Sequence, residues 1–320
     1  MKKIMLSFTS FFVLIGLLVG CSSTNEGEKD QPTTIENVEM RKVTDVKGEI
    51  EIPAHPKRIV DISGASDILS LIGYEVIGTA NSDGYDYTIL PTYLEDTLAD
   101  AKILGYSMLA EMDVEAMMAL NPDLIIISTV QEKMYDQLSK IAPVVMVEMK
   151  QVDWKEDFLH VATVFGKEEV ATAWIDTYLD KAKEVGNQIK KAYGEESTYL
   201  SFLASAGSLF IFDQAGLGSI LYDDMGLAKP VGMPKQEDIS LPVVSMEGLA
   251  EINADYILAV GTEEDLKVLE ASSIWKGTPA VKEGNVVTLP ASPYFNQGYS
   301  PIGRLAFIEE VQELLASMHE

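Results

Sequence analysis

From about residue 58 onward, short apolar runs alternate with stretches of helical period. "RIVDI" reads as a strand, "ASDILSLIG" as a helix closing on Gly73, and "EVIGTA" as a strand. A turn-rich stretch, 81–112, follows. Then come helix 113–120, strand "LIIIS", helix "QEKMYDQLSKI", strand "VVMVE" and helix 154–165. Strands separated by helices in this rhythm predict a mainly parallel sheet covered on both faces. Residues 167–193 break the rhythm. Val170, Trp174, Tyr178, Ala182, Val185, Ile189 and Tyr193 are spaced three or four apart, one continuous helical stripe. At ~1.5 Å per residue such a helix reaches ~40 Å, the length of a strut crossing two lobes.

After "GEES" the alternation resumes. "TYLSFLA" and "SLFIFD" read as strands, 219–226 as a short helix, "MEGLAEI" as a helix and "YILAV" as a strand. Helix 263–271, strand "NVVTLP" and the helix "IGRLAFIEEVQELLASM" complete the pattern. The expected fold class is α/β: two α/β lobes with mainly parallel sheets bridged by a single long α-helix. The boundaries read as 38–165 for the first lobe, 166–194 for the inter-lobe helix and 195–320 for the second lobe. One unit occurs twice. "EAMMALNPDLII" (115–126) and "EGLAEINADYIL" (247–258) place Glu, Asn and Asp at the same offsets before an apolar run. The repetition suggests a bilobed protein with a cleft between its lobes.

The N-terminus has a separate logic. "MKK" is basic, "IMLSFTSFFVLIGLLV" is apolar, and "LVGC" places small Gly20 before Cys21. This is the pattern of a lipoprotein signal over residues 1–20, with Cys21 as the lipidated residue of the mature chain. Cys21 is the single cysteine, so no disulfide staples the fold. Residues 21–37 are polar and read as a flexible tether. Loss of Lys2 and Lys3 takes 24 basic residues to 22 against 50 acidic ones, a net of −28. Such acidity argues against a nucleic-acid partner. Arginine is scarce, at Arg41, Arg58 and Arg304 only. A pocket for a highly anionic ligand clusters arginine, and this chain has little to cluster.

Catalytic and metal chemistry are not visible. His55, His160 and His319 are far apart in sequence, which disfavours a metal site. "GLGSIL" lacks the spacing and lysine of a phosphate loop. Aromatic residues in apparent loops are the candidate chemistry. "SPYFNQGYSP" carries Tyr294, Phe295, Asn296 and Tyr299 after a strand end, with Arg304 just beyond. Tyr85, Tyr87 and Tyr106 occupy the corresponding part of the first lobe, and Phe210 and Phe212 lead into a Gly-rich turn. In open α/β sheets ligands bind outside the strand C-terminal ends, where such side chains offer apolar faces and polar tips.

"HPKRIVDISGASDILSLIGYEVIGTA", "VEAMMALNPDLIIIS", "MYDQLSKIAPVVMV", the strut and "SIWKGTPAVKEGNVVTLP" resemble lipoprotein substrate-binding components of iron–siderophore, haem and cobalamin ABC importers. The resemblance runs from about residue 38 to 318. It implies a monomeric binding protein rather than an enzyme, with its ligand between the lobes and no intrinsic cofactor. It implies lipid anchoring on the extracytoplasmic face of a Gram-positive type cell. The partners it implies are a membrane permease with its ATPase, and the permease arginines would meet Glu115 and Glu247. Within the family, "SPYFNQGYSP" resembles the aromatic loop of ferric hydroxamate (ferrichrome-type) binders. Tyr85, Tyr106, Phe212, Tyr294, Phe295, Asn296, Tyr299 and Arg304 are then the expected ligand contacts, with iron held by the siderophore. One departure stands out: the turn "DQAGLGS" lacks the Arg and Trp that hydroxamate binders place there. The alternative within the family is haem, with Met108 of "ILGYSM" as axial ligand, although "AVGTEED" supplies no opposing His. A surface lipoprotein enzyme on an α/β scaffold is the alternative from another class.

Overall fold

The computed structural model describes residues 39–318. The signal segment, Cys21, the 21–37 tether and His319 lie outside the described residues. The chain begins with an antiparallel hairpin, β1 (Met40–Asp45) and β2 (Gly48–Pro53). Asp45 holds it to the first lobe, its Oδ2 accepting the Met146 N–H at 2.8 Å. This hairpin precedes the alternating pattern and was not expected from it.

The first sheet comprises β3 (Ile59–Asp61), β4 (Val76–Asn81), β5 (Lys102–Tyr106), β6 (Leu124–Ser128) and β7 (Val144–Val147). Its order is β5-β4-β3-β6-β7 and every pairing is parallel. The order reverses between β3 and β6, which opens a crevice at their C-terminal ends. β5 lies inside the stretch expected to be all turns. Its "KILGY" has a lysine and a glycine where an apolar run would signal a strand, and it sits on the sheet edge, where burial asks for less.

The second sheet comprises β8 (Tyr199–Ser205), β9 (Ser208–Ile211), β10 (Val243–Val244), β11 (Tyr256–Gly261) and β12 (Val286–Pro290), in the order β10-β9-β8-β11-β12. β8, β11 and β12 are parallel, while β9 and β10 are antiparallel. The reversal at β9 is forced by its link. Ala206 and Gly207 alone connect β8 to β9, both at positive φ (49° and 77°), as a two-residue hairpin turn requires.

Helix Glu168–Tyr193 joins the lobes over 26 residues, ~39 Å at the usual rise. Its buried seam is Ala171, Ile175, Tyr178, Ala182, Gly186 and Ile189. Val170, expected in the stripe, is exposed, because the buried seam starts one position on, at Ala171. Gly186 permits a close approach: a Cβ there would stand 2.0 Å from the Met225 carbonyl oxygen. One hydrophobic cluster runs through both lobes, from Ile59 and Leu69 through Phe158 and Tyr178 to Phe212 and Phe307. The lobes therefore share a core along the bridging helix.

Other expected helices are shorter than their sequence pattern. Residues 131–141 form a 3₁₀ segment, Thr129–Met134, and one α-turn, Tyr135–Leu138. Residues 219–226 form the end of a turn at Gly216–Ser219 and a π-turn, Ile220–Asp224. The "SPYFNQGYSP" loop is instead largely helical, Ala291–Gln297 with a break at Ser292. Pro293 starts the regular part, where its missing N–H costs nothing. No described helix is long and apolar enough to cross a membrane.

The repeated unit is a repeat in three dimensions. Helix Val114–Ala119 leads into β6, and helix Met246–Glu251 into β11. The Asp of each unit does the same work. Asp123 accepts the N–H groups of Lys57 (2.8 Å) and Arg58 (2.9 Å), just before β3. Asp255 accepts the N–H and hydroxyl of Thr198, both at 2.7 Å, just before β8. Each carboxylate thus aligns the start of the strand next to its own. Glu115 and Glu247 are exposed, each in the first turn of its helix.

Candidate functional site

A cavity of about 290 Å³ lies between the lobes, at the small end of ligand-site volumes. The first lobe supplies the segments after β3, β4, β5 and β7, including Ser63, Ser66, Asp67, Ser82, Tyr106, Met108 and Gln151. Helix Trp154–Val164 adds Trp154 and Asp157. The second lobe supplies Ser219, Ile239, Leu241, Phe295, Tyr299 and Arg304. The cavity therefore sits outside strand C-terminal ends, where an open α/β sheet receives ligands.

Its floor is built on Arg304, in helix Pro301–Ser317 and only 1% exposed. The guanidinium donates to Asp224 Oδ2 from Nε (3.2 Å) and Nη2 (2.5 Å), and from Nη1 to Ser219 Oγ (3.0 Å) and the Gly298 carbonyl. Four of its five N–H groups are thereby spent. Tyr178 of the bridging helix donates its hydroxyl to the same Asp224 oxygen at 2.8 Å. The Trp154 ring of the first lobe lies 4.8 Å beneath the guanidinium carbon. The π-turn Ile220–Asp224 is what swings Asp224 toward Arg304, closed by the Met225 N–H to the Ile220 carbonyl at 2.9 Å.

The lobes are stitched above this floor. Ser300 donates to Asp67 Oδ2 and Ser292 to Asp83 Oδ2, both at 2.5 Å. Asn296 donates to the Ser82 carbonyl at 2.7 Å and accepts the Gly84 N–H at 3.4 Å. Burial pushes the Asp67 carboxyl up to about 6, against the Ser300 and Ile68 hydrogen bonds that favour its anion. Two phenols face the cavity with no protein hydrogen bond among the described residues: Tyr106 from the first lobe and Tyr299 from the second. Burial pushes Tyr299 up to about 12, with the Arg304 charge drawing it partly back, and Tyr106 is likewise raised by burial. Both are neutral donors at physiological pH.

Of the expected contacts, Tyr106, Phe295, Asn296, Tyr299 and Arg304 line the cavity. Asn296 and Arg304 do so largely committed to protein partners. Tyr85, Phe212 and Tyr294 do not line it. Tyr85 is 37% exposed at the rim, edge-on to Phe295 at 5.5 Å. Phe212 is fully buried just beyond the end of β9, its ring filling the space beside Gly216. Tyr294 turns to Glu310 on the last helix, a consequence of the helical backbone at 293–297. Asp67, Ser219 and Trp154 line the cavity and were not anticipated. Met108 lies at the mouth, 45% exposed, with the Gln151 amide 3.4 Å from its sulfur. Neither His55 nor His160 lines the cavity.

The model of the family described as periplasmic binding protein matches residues 74–293. This chain belongs to that family. It is 30% identical to the iron(3+)-hydroxamate-binding protein FhuD of Bacillus subtilis (strain 168), over 97% of both chains. Among solved structures it is similar to a FhuD fold-family component of a Fep/Fec-like ferrichrome ABC transporter from Bacillus subtilis. That match has a TM-score of 0.70 and 28% identity, covering 85% of this chain and 98% of the other. It is also similar to the triscatecholate siderophore-binding protein FeuA of Bacillus subtilis, solved with ferri-bacillibactin. The TM-score there is 0.63 at 25% identity, over 87% and 98% of the two chains. These are binding proteins, not enzymes, and the α/β two-lobe fold with its long helix is theirs.

The ion pair under the cavity yields a stability test. Arg304→Leu strands Asp224 in a buried site and is expected to cost ~3–5 kcal/mol. Joining Asp224→Leu to it should recover part of that loss, read by urea unfolding. A single variant as stable as the parent would show that the pair is not desolvated as described.

Proposed function

We propose that this chain is the substrate-binding component of an ABC importer and captures a ferric hydroxamate siderophore in the inter-lobe cleft. It then delivers the complex to a permease served by its ATPase. The carrying observation is the pair of uncommitted phenols, Tyr106 and Tyr299, in a cavity whose one arginine is already neutralised. Ferric iron with three singly ionised hydroxamates is neutral, and its oxygens accept hydrogen bonds. Phenol donors with aromatic faces suit such a complex, whereas a tris-catecholate is trianionic and calls for free cations. The relatives support the siderophore class in general. The hydroxamate choice rests on the cavity's chemistry together with the FhuD resemblance.

Haem finds no support. The relatives above are hydroxamate, ferrichrome and catecholate-siderophore binders by name, and Met108 has no histidine across the cavity. The lipid-anchor reading at Cys21, the extracytoplasmic location and the monomeric state belong to the same proposal. So do the permease contacts at Glu115 and Glu247, whose support is their equivalent, exposed position on repeated units.

Titration with ferric trihydroxamate, followed by tryptophan quenching, is expected to show tight binding, with ferric tris-catecholate binding weakly. Tyr299→Ala should weaken the former by ~1–3 kcal/mol, the usual cost of losing a buried polar partner with its packing. Binding by Tyr299→Ala equal to the parent, or tighter catecholate than hydroxamate binding, would overturn the assignment. Glu115→Ala and Glu247→Ala should leave that titration unchanged and impair iron uptake by cells; normal uptake in the double variant would remove the docking role. Cys21→Ala should move the protein from the membrane to the soluble fraction, and retention on washed membranes would count against the anchor.

A further inference from the structure

The lobes meet over the cavity, and it is too small for the ligand proposed above. Three hydroxamates, the chain that joins them and the iron make a ligand of at least drug size, and such ligands take sites of ~300–1,000 Å³. The cavity holds about 290 Å³. Part of its wall must move. The floor is fixed by Arg304 and Asp224, and residues 297–300 are fixed to that floor. The Gly298 carbonyl accepts from Arg304, and a Cβ on Gly298 would stand 2.3 Å from the Gly216 carbonyl carbon. Residues 82–89, which follow β4 in the first lobe, are held differently. Tyr85, Tyr87 and Ile89 are exposed, and no side chain from 82 to 89 joins a hydrophobic cluster. Leu90, Tyr93, Leu94 and Leu98, just beyond, all pack in one. The segment is braced instead by its own polar groups. Asp83 Oδ1 accepts the N–H groups of Tyr85 (2.8 Å) and Asp86 (3.3 Å), and Asp86 Oδ1 accepts the Thr88 N–H at 3.0 Å. Asn81, at the end of β4, donates to the Ile89 carbonyl and so ties the two ends together.

A compact loop with tied ends moves as a unit about its base. This one reaches the opposite lobe through Ser292 to Asp83, Asn296 to Ser82 and Gly84, and the Tyr85 ring against Phe295. Tyr106 lies beneath it. Tyr87 stacks on the Tyr106 ring at 6.0 Å, and Gly84 lacks the Cβ that would stand 3.0 Å from the Tyr106 hydroxyl. We infer that residues 82–89 are a lid, hinged at Asn81 and Leu90, that swings off Ser292 and Asn296 to admit the ligand and closes on Phe295 behind it. The inference rests on the hydroxamate reading for its ligand and adds the route of entry. Lifting the lid exchanges hydrogen bonds to protein for hydrogen bonds to water, a small net cost. The motion is local: the floor, the bridging helix and the shared core stay in place.

The test locks the lid. In the full chain carrying Cys21→Ala, Asp83→Cys and Ser292→Cys are joined by oxidation, and uptake of a ferric trihydroxamate is followed by stopped-flow fluorescence quenching. The oxidised form is expected to take up the complex ~tenfold or more slowly than the same variant after reduction, since entry requires the lid to lift. Complex bound before oxidation should leave correspondingly slowly. Equal rates in the oxidised and reduced forms overturn the lid and leave the hydroxamate reading standing. A second measurement needs no ligand. Spin labels at Thr88→Cys and Lys267→Cys span the lid and the opposite lobe, and labels at Lys140→Cys and Lys267→Cys span the two lobes alone; all three positions are exposed. In the ligand-free protein the lid pair should show two distances and the lobe pair one. A single distance for both pairs, or the same spread in both, overturns the lid. If the parent binds no ferric trihydroxamate, the hydroxamate reading falls, and the spin-label distances decide the lid by themselves.

Discussion

A single buried ion pair organises the junction of the two lobes. Arg304 and Asp224 are almost wholly removed from water, and each is also held by neutral partners: Ser219, the Gly298 carbonyl and Tyr178. A buried pair of this kind contributes little net stability, since desolvation offsets most of the Coulomb gain. What it supplies is geometry. It fixes the last helix against the π-turn, the π-turn against the bridging helix through Tyr178, and the assembly against Trp154 of the first lobe. Trp154, Trp174 and Tyr178 pack edge and face around it at centroid distances of 5.1 to 6.2 Å. The hinge side of the cleft is thus rigid, and the cavity floor is rigid with it.

The mouth side is built on another principle. There the lobes meet through hydrogen bonds among Asp67, Ser82, Asp83, Gly84, Ser292, Asn296 and Ser300. Each replaces a bond to water with a bond to protein, and each is worth only ~0.5–1.5 kcal/mol net, more where a charge takes part. A packed floor with a polar mouth is the arrangement that lets a cleft open about one edge without unravelling the shared hydrophobic cluster.

The large elements were legible in the sequence because burial imposes periodicity. The inner parallel strands are largely apolar, as in "LIIIS", and the bridging helix shows its stripe over seven positions. Elements without such burial escaped. β1 and β2 are half-exposed, and β5 is an edge strand. The helix at 291–297 was hidden by Pro290 and Pro293, which read as turn signals but here flank and open a helix. For the site, aromatic residues near strand ends located the region. They did not separate Tyr299, which faces the cavity, from Phe212 and Tyr294, which fill the protein. That distinction depends on backbone direction at single residues. Asp67 was masked by its position in the first turn of a helix, where an acid needs no further reason. Asp224 meets Arg304 across 80 positions, and nothing local announces the pair.

The repeat makes the lobes alike in one respect, while the cleft keeps them unlike. Each lobe carries the same helix–turn–strand unit, anchored by the same carboxylate-to-backbone bonds from Asp123 or Asp255. Those bonds hold the helix-borne Glu at a fixed position relative to its sheet, twice over. On the cleft side the lobes differ. The first contributes small hydroxyl and carboxylate groups after its strands; the second contributes Phe295, Tyr299 and Arg304 from its last two helices. On the function proposed above, a permease with matching halves calls for likeness between the lobes, and a ligand held between them calls for difference. The sheet frame supplies the likeness, and loops and helices added beyond the strand ends supply the difference.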